Sequence, residues 1–97
     1  MNEYSSRMTT SAERRKLKSR GQKLDTLLTI GRAGVTGTIL DELRGCFERT
    51  DLVKVRVNVS DRAERTQAIE TLATESGSEC VGSVGRTSLL YRERSAS

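Results

Sequence analysis

Apolar residues in this chain come in short runs whose spacing changes from one run to the next. Between Leu52 and Val59, Val53, Val55, Val57 and Val59 alternate with Lys54, Arg56 and Asn58. A period of two predicts a strand with one buried face. From Thr36 to Arg49 the apolar positions shift to Val35, Ile39, Leu40, Leu43 and Phe47. That spacing follows a period of 3.6 residues and predicts a helix with one inward face. Gly45 within it costs about 1 kcal/mol relative to alanine, which close packing would explain. Asp61, with Glu64 at the capping-box offset, opens a further helix with Ala68, Ile69, Leu72 and Ala73 on one face, closed by Gly77. Leu27–Ile30 is a run of strand length, and Cys80–Val84 and Ser88–Arg92 form two more strands around a tight turn at Gly85-Arg86.

Nearer the N-terminus, Thr10 and Glu13 resemble a capping box that opens a helix over Ser11–Arg20, with Gly21 as its stop. Leu17 and Leu24 give that helix one thin apolar edge. Residues 1–10 and 93–97 are polar and without periodicity, so they read as flexible tails around one domain at 11–92. The element order is α-β-α-β-α-β-β. Two β-α-β units imply parallel pairings through right-handed crossovers, and the last two strands form an antiparallel hairpin. The expected fold class is α/β, a single-domain sandwich with a mixed four-stranded sheet.

Charge changes the picture because it is unevenly spread. The net charge is +4, yet residues 7–23 alone carry seven basic residues against Glu13, and the remainder balances to slightly acidic. Arg14, Arg15, Lys16, Lys18, Arg20 and Lys23 therefore form a concentrated positive segment. A charge run of this kind often merely solvates a helix, but self-repulsion makes it costly unless a polyanionic partner uses it. Histidine is absent and Cys46 and Cys80 are isolated, so neither a metal site nor an imidazole base is expected. The thiols read as small, reduced core residues. No apolar run is long enough to span a membrane, no leader is evident, and the reading is a cytoplasmic, monomeric, non-enzymatic protein without cofactor or small-molecule substrate.

Between the first strand and the helix that follows lies Gly31-Arg32-Ala33-Gly34. A strand entering a Gly-x-x-Gly turn and then a helix brings backbone N–H groups and a helix N-terminus to one spot, suited to a phosphate. On its own such a turn reads equally as a place where glycine supplies positive φ. Arg32 within it, with Gly34 and Val35 amides as the cradle and the basic helix upstream, points to RNA. Gly37 extends the pattern, but the Gly-x-Gly spacing of a dinucleotide fold and the Gly-Lys-Ser/Thr ending of a Walker loop are both missing. Lys54 and Arg56 project from the non-valine face of the second strand, and Arg86 and Arg92 flank the last one. Tyr91 reads as half-buried core.

Four collinear stretches carry a family likeness: Arg15-Lys16-Leu17-Lys18; Ile30–Thr36 leading into Ile39–Leu43; Leu52–Val57; and Gly85–Arg92. Together they resemble the CRM domain (chloroplast RNA splicing and ribosome maturation), in its stand-alone bacterial form. The resemblance implies a fold akin to the C-terminal domain of translation initiation factor three. It also implies RNA binding through the Gly-x-x-Gly loop and adjoining basic surface, and association with precursors of the large ribosomal subunit. The implied binding residues are Gly31, Arg32, Ala33, Gly34 and Val35, the basic segment from Arg14 to Lys23, Lys54, Arg56 and Arg86. Where the family has a His-x-Leu-x-Pro stretch, this chain reads Gln22–Thr26, and loss of the proline is expected to loosen the approach to the first strand. The contrasting expectation is a protein–protein adaptor whose basic helix grips an acidic partner.

Overall fold

The computed structural model describes residues 9–93. Its elements are α1 (Ser11–Gly21), β1 (Leu28–Ile30), α2 (Gly37–Arg49), β2 (Leu52–Val57), α3 (Arg62–Ser76), β3 (Glu79–Val84) and β4 (Thr87–Tyr91). Leu52, Val53, Val55 and Val57 of β2 are at most 1% exposed, so this strand is covered on both faces and belongs inside the sheet. The strand order is accordingly β1-β2-β4-β3. β1 runs parallel to β2, Leu28 opposite Val55 and Ile30 opposite Val57. β4 runs antiparallel to β2, Leu52 opposite Tyr91 and Arg56 opposite Thr87.

The sheet is mixed and four-stranded as expected, but it holds one parallel pairing rather than two. The crossover through α3 skips a position, because the two-residue turn at Gly85-Arg86 folds β4 back between β2 and β3. Gly85 has φ +59, a left-handed value that suits glycine at the first position of such a turn.

Helices cover both faces. On one, Val53, Val55 and Val57 join Leu28, Ile30 and Leu90 beneath Leu43, Cys46 and Phe47 of α2 and Ile69 and Leu72 of α3. On the other, Leu17 of α1 packs with Leu52 and Val81, edged by Leu24, Leu89 and Tyr91. Tyr91 is half-buried, as its sequence context implied. The Thr10–Glu13 capping box is present in both directions. At α3, Asp61 accepts from the Ala63 N–H (3.0 Å), while Arg65 rather than Glu64 reaches back, donating to the Val59 and Ser60 carbonyls at 2.8 and 2.7 Å. Gly77 closes α3 in the left-handed conformation.

Close packing falls at Gly21 rather than at Gly45. Gly21 is the last residue of α1 and has no positive φ. A Cβ there would meet Leu89 at 2.4 Å, so Gly21 is a notch that lets the helix settle on the sheet. Gly45 has open space around its Cβ position, and no close packing requires it. Gly45→Ala is therefore expected to stabilise the fold by about 0.5–1 kcal/mol, read as a Tm higher by a few degrees in thermal denaturation. The N-terminal boundary also moves. Thr9 is buried and donates from its N–H and Oγ1 to the Glu79 carboxylate at 3.0 and 2.9 Å, so it is held against β3. The expected tails at residues 1–8 and 94–97 lie outside the described residues.

Candidate nucleic-acid interface

β1 ends where the Ile30 carbonyl accepts from the Asn58 N–H at 2.8 Å, just beyond β2. The chain then turns through Gly31-Arg32-Ala33-Gly34, closed by the Gly34 N–H donating to the Gly31 carbonyl at 3.1 Å. Gly34 has φ +74, which requires glycine; Gly31 carries no such demand. Arg32 and Ala33 are exposed at the tip. The Gly34 amide, expected to cradle a phosphate, is spent on closing the turn. Val35 is half-buried and packs against the main core, anchoring the loop from below. Thr36 caps α2 by accepting from the Ile39 N–H (3.2 Å), and the first turn of α2 holds no acidic residue. The positive end of that helix is thus left without a compensating carboxylate.

The β3–β4 hairpin closes on the same corner. The Arg86 carbonyl accepts from the Val57 N–H at 2.8 Å, and Arg86 Nη1 donates to Asn58 Oδ1 at 2.9 Å. Asn58 thereby ties the loop's root to Arg86: its N–H holds Ile30 and its side chain holds the guanidinium. Sequence reasoning saw Asn58 only as a polar residue alternating with valines. The missing signal was tertiary, since its importance comes from lying one residue past the Ile30–Val57 pair. Asn58→Ala is expected to leave the core intact and to free the Arg86 side chain. Backbone amide shifts localised to residues 30–34 and 85–87 in NMR spectra would report it.

On the opposite side, the basic segment divides by role. Arg20 is paired with Asp51 through both guanidinium nitrogens at 2.8 and 3.4 Å, so the segment is less uncompensated than its composition suggested. The cause is tertiary, because Asp51 is remote in sequence and adjoins the start of β2. Burial, with Asp51 next in effect, holds the nearby Tyr91 phenol above its ordinary pKa. Lys54 donates to the Gly21 and Leu24 carbonyls, both at 3.3 Å, capping the end of α1 from below. Its ammonium serves the fold, like the Lys/Arg side chains that satisfy final-turn carbonyls elsewhere. Within the stretch Gln22–Thr26 the Leu24 N–H donates to the Gly21 carbonyl at 3.1 Å, and just beyond it the Leu27 N–H donates to the Lys54 carbonyl at 2.9 Å.

The remaining cations are differently placed. Arg14 is half-buried, and Arg15, Lys16, Lys18 and Lys23 are exposed. None of them, nor Arg32 or Arg56, makes an ion pair among the described residues. α1 packs against β2, β3 and β4, whereas the Gly-x-x-Gly loop follows β1 at the sheet's far corner. The helix and the loop therefore adjoin different parts of the sheet. Arg56 stands between them, exposed on the face that carries α1 and flanked in register by Thr29 and Thr87. Among the described residues no group of carboxylates and thiols is placed to hold a metal, and no helix is long and apolar enough to cross a membrane.

Residues 9–92 match the profile of the CRS1/YhbY (CRM) domain. The chain belongs to this family. A probable RNA-binding protein of Pseudomonas aeruginosa is 30% identical over 84 residues, covering 87% of this chain and 81% of that one. A probable RNA-binding protein of Bacillus subtilis is 28% identical over 89% of this chain and 90% of its own length. The solution structure of a Staphylococcus aureus protein, itself named as a candidate RNA-binding protein, superposes with a TM-score of 0.80. It is 27% identical, over 91% of this chain and 92% of the other. The α-β-α-β-α-β-β arrangement is thus that of the stand-alone bacterial CRM proteins.

Proposed function

We propose that this CRM domain is a non-catalytic RNA-binding protein that acts as a monomer in the cytoplasm. Its target is structured ribosomal RNA in precursors of the large subunit, whose assembly it assists. The observation that carries the reading is the row of cations without an internal ion pair: Arg14, Arg15, Lys16, Lys18 and Lys23 around α1, then Arg56, then Arg32 at the loop tip. Cations without an internal ion pair along α1, on β2 and at the loop tip suit a phosphate backbone, where each contact releases condensed counterions. Arg20 and Lys54 take no direct part, since Asp51 and two carbonyls occupy them. Arg86, oriented by Asn58, supports the loop corner.

Arg32→Glu tests the loop. Reversing one charge-assisted phosphate contact is expected to weaken binding to a structured RNA about 10–100-fold, measured by filter binding or fluorescence anisotropy. Arg62→Glu, an equal charge change in the first turn of α3, serves as the control and is expected to have little effect. Undiminished binding by a normally folded Arg32→Glu chain would remove the loop from the interface. Partners recovered from lysate should be lost on RNase treatment; partners that survive would favour the adaptor.

A further inference from the structure

A groove of about 470 Å³ lies between α1 and the outer strand β3, away from the Gly-x-x-Gly loop. Arg14, Arg15 and Lys18 form one wall, and the stretch from Cys80 to Ser83 forms the other. Three features give it chemical character. First, no carboxylate lines it, although Glu13 and Glu79 lie nearby in sequence on either wall. Glu13 is drawn to the Thr10 N–H at 2.8 Å, and Glu79 is held by Thr9. Second, β3 is an edge strand bulged between Cys80 and Gly82, so its outer backbone N–H and C=O groups have no strand partner. Third, Gly82 keeps the floor low. A Cβ there would meet the Lys18 stem at 2.9 Å, and without one the alkyl chain lies flat across the strand.

Cations on one wall and open peptide groups on the other match a ligand that is anionic at one end and rich in donors and acceptors at the other. A base stacked within a double helix cannot enter a recess between a helix and a strand, whereas an unstacked nucleotide can. The volume falls in the range of small-ligand sites, and arginine guanidinium planes can serve as stacking surfaces where aromatics are lacking. We infer that the α1–β3 groove seats one unpaired nucleotide of an RNA strand, with Arg14, Arg15 and Lys18 on its phosphate and the β3 edge against its base. This rests on the RNA-binding reading and sharpens it. The preferred RNA is a helix bordered by a single-stranded segment, the helix lying toward the loop and Arg56.

The test compares two RNAs on the full chain at low salt: a blunt hairpin, and the same hairpin with a four-nucleotide unpaired tail. The tail is expected to raise affinity about tenfold, the size of one seated base. It should also move the backbone amide NMR signals of residues 80–83 more than the blunt hairpin does, with those of residues 31–34 as internal reference. Ser11→Glu, which places a carboxylate in the groove at an exposed position of α1, should abolish the tail's increment. Equal affinity for the two RNAs, or a tail that leaves the amide signals of residues 80–83 unmoved, overturns the groove assignment while RNA binding stands. Failure of either RNA to bind overturns both readings. Displacement of the amide signals of residues 80–83 by an acidic peptide but not by the tailed RNA assigns the groove to a protein and overturns the inference.

Discussion

Raising salt from 50 to 200 mM is expected to lower the affinity of this chain for structured RNA about a thousandfold. Seven cations make no ion pair within the described residues and are free to act. If six of Arg14, Arg15, Lys16, Lys18, Lys23, Arg32 and Arg56 each neutralise a phosphate, log affinity falls with log salt at a slope of about −5. A fourfold rise in salt then gives the stated loss. The distinctive part concerns the two cations that the fold already uses. Removing Lys16 or Arg56 should make the slope shallower by about one. Arg20→Gln should leave the slope unchanged, because Asp51 holds that guanidinium in the free protein. Salt titrations by anisotropy on the three variants separate the cases. An equal change of slope for Arg20→Gln and Arg56→Gln would mean that the Arg20–Asp51 pair opens on binding.

Gly21→Val is expected to destabilise the domain by about 2–3 kcal/mol, the cost of forcing extra carbon into a fitted contact. Helix propensity alone argues the other way, since glycine is the poorest helix former after proline. The steric term wins because a Cβ at Gly21 would sit 2.4 and 2.6 Å from the two methyls of Leu89 and 3.0 Å from its Cγ. At this chain length the loss corresponds to a Tm lower by about 10–20 °C. The double variant Gly21→Val/Leu89→Ala should recover part of that loss, and denaturant titration of the four members of the cycle gives the coupling. No recovery would mean that the notch is not what seats α1. The contrast with Gly45→Ala is instructive: one glycine in a helix is required by its neighbour, the other by nothing in the fold.

Local physics made most of the elements legible. The alternating valines of β2, the 3.6-residue spacing of α2 and the Thr10–Glu13 pair each specify their own segment with little help from the rest. What the sequence left open depended on partners far along the chain. Gly21 and Gly82 are ordinary glycines until Leu89 and Lys18 lie across them. Arg20 and Lys54 are two more basic residues until Asp51 and the end of α1 claim them. The second crossover went astray for the same reason: periodicity identifies β3 and β4 but says nothing of which one lies beside β2. At the candidate interface the loop was visible as a motif, yet its tie through Asn58 to Arg86 was not. A spacing rule cannot encode a hydrogen bond between a hairpin tip and the residue after a parallel strand.

The strand order has a consequence for how this protein is made. β3 touches the rest of the sheet only through β4, and α1 rests on β2, β3 and β4 together. Until residues 87–91 have been synthesised and have slotted between β2 and β3, β3 has no strand to pair with and the basic helix has no complete seat. Early in synthesis, β1, α2 and β2 can form a local β-α-β unit, but the face that carries α1 assembles last. A nascent chain cut short before Thr87 therefore has the Gly-x-x-Gly turn in its sequence and no finished surface around it.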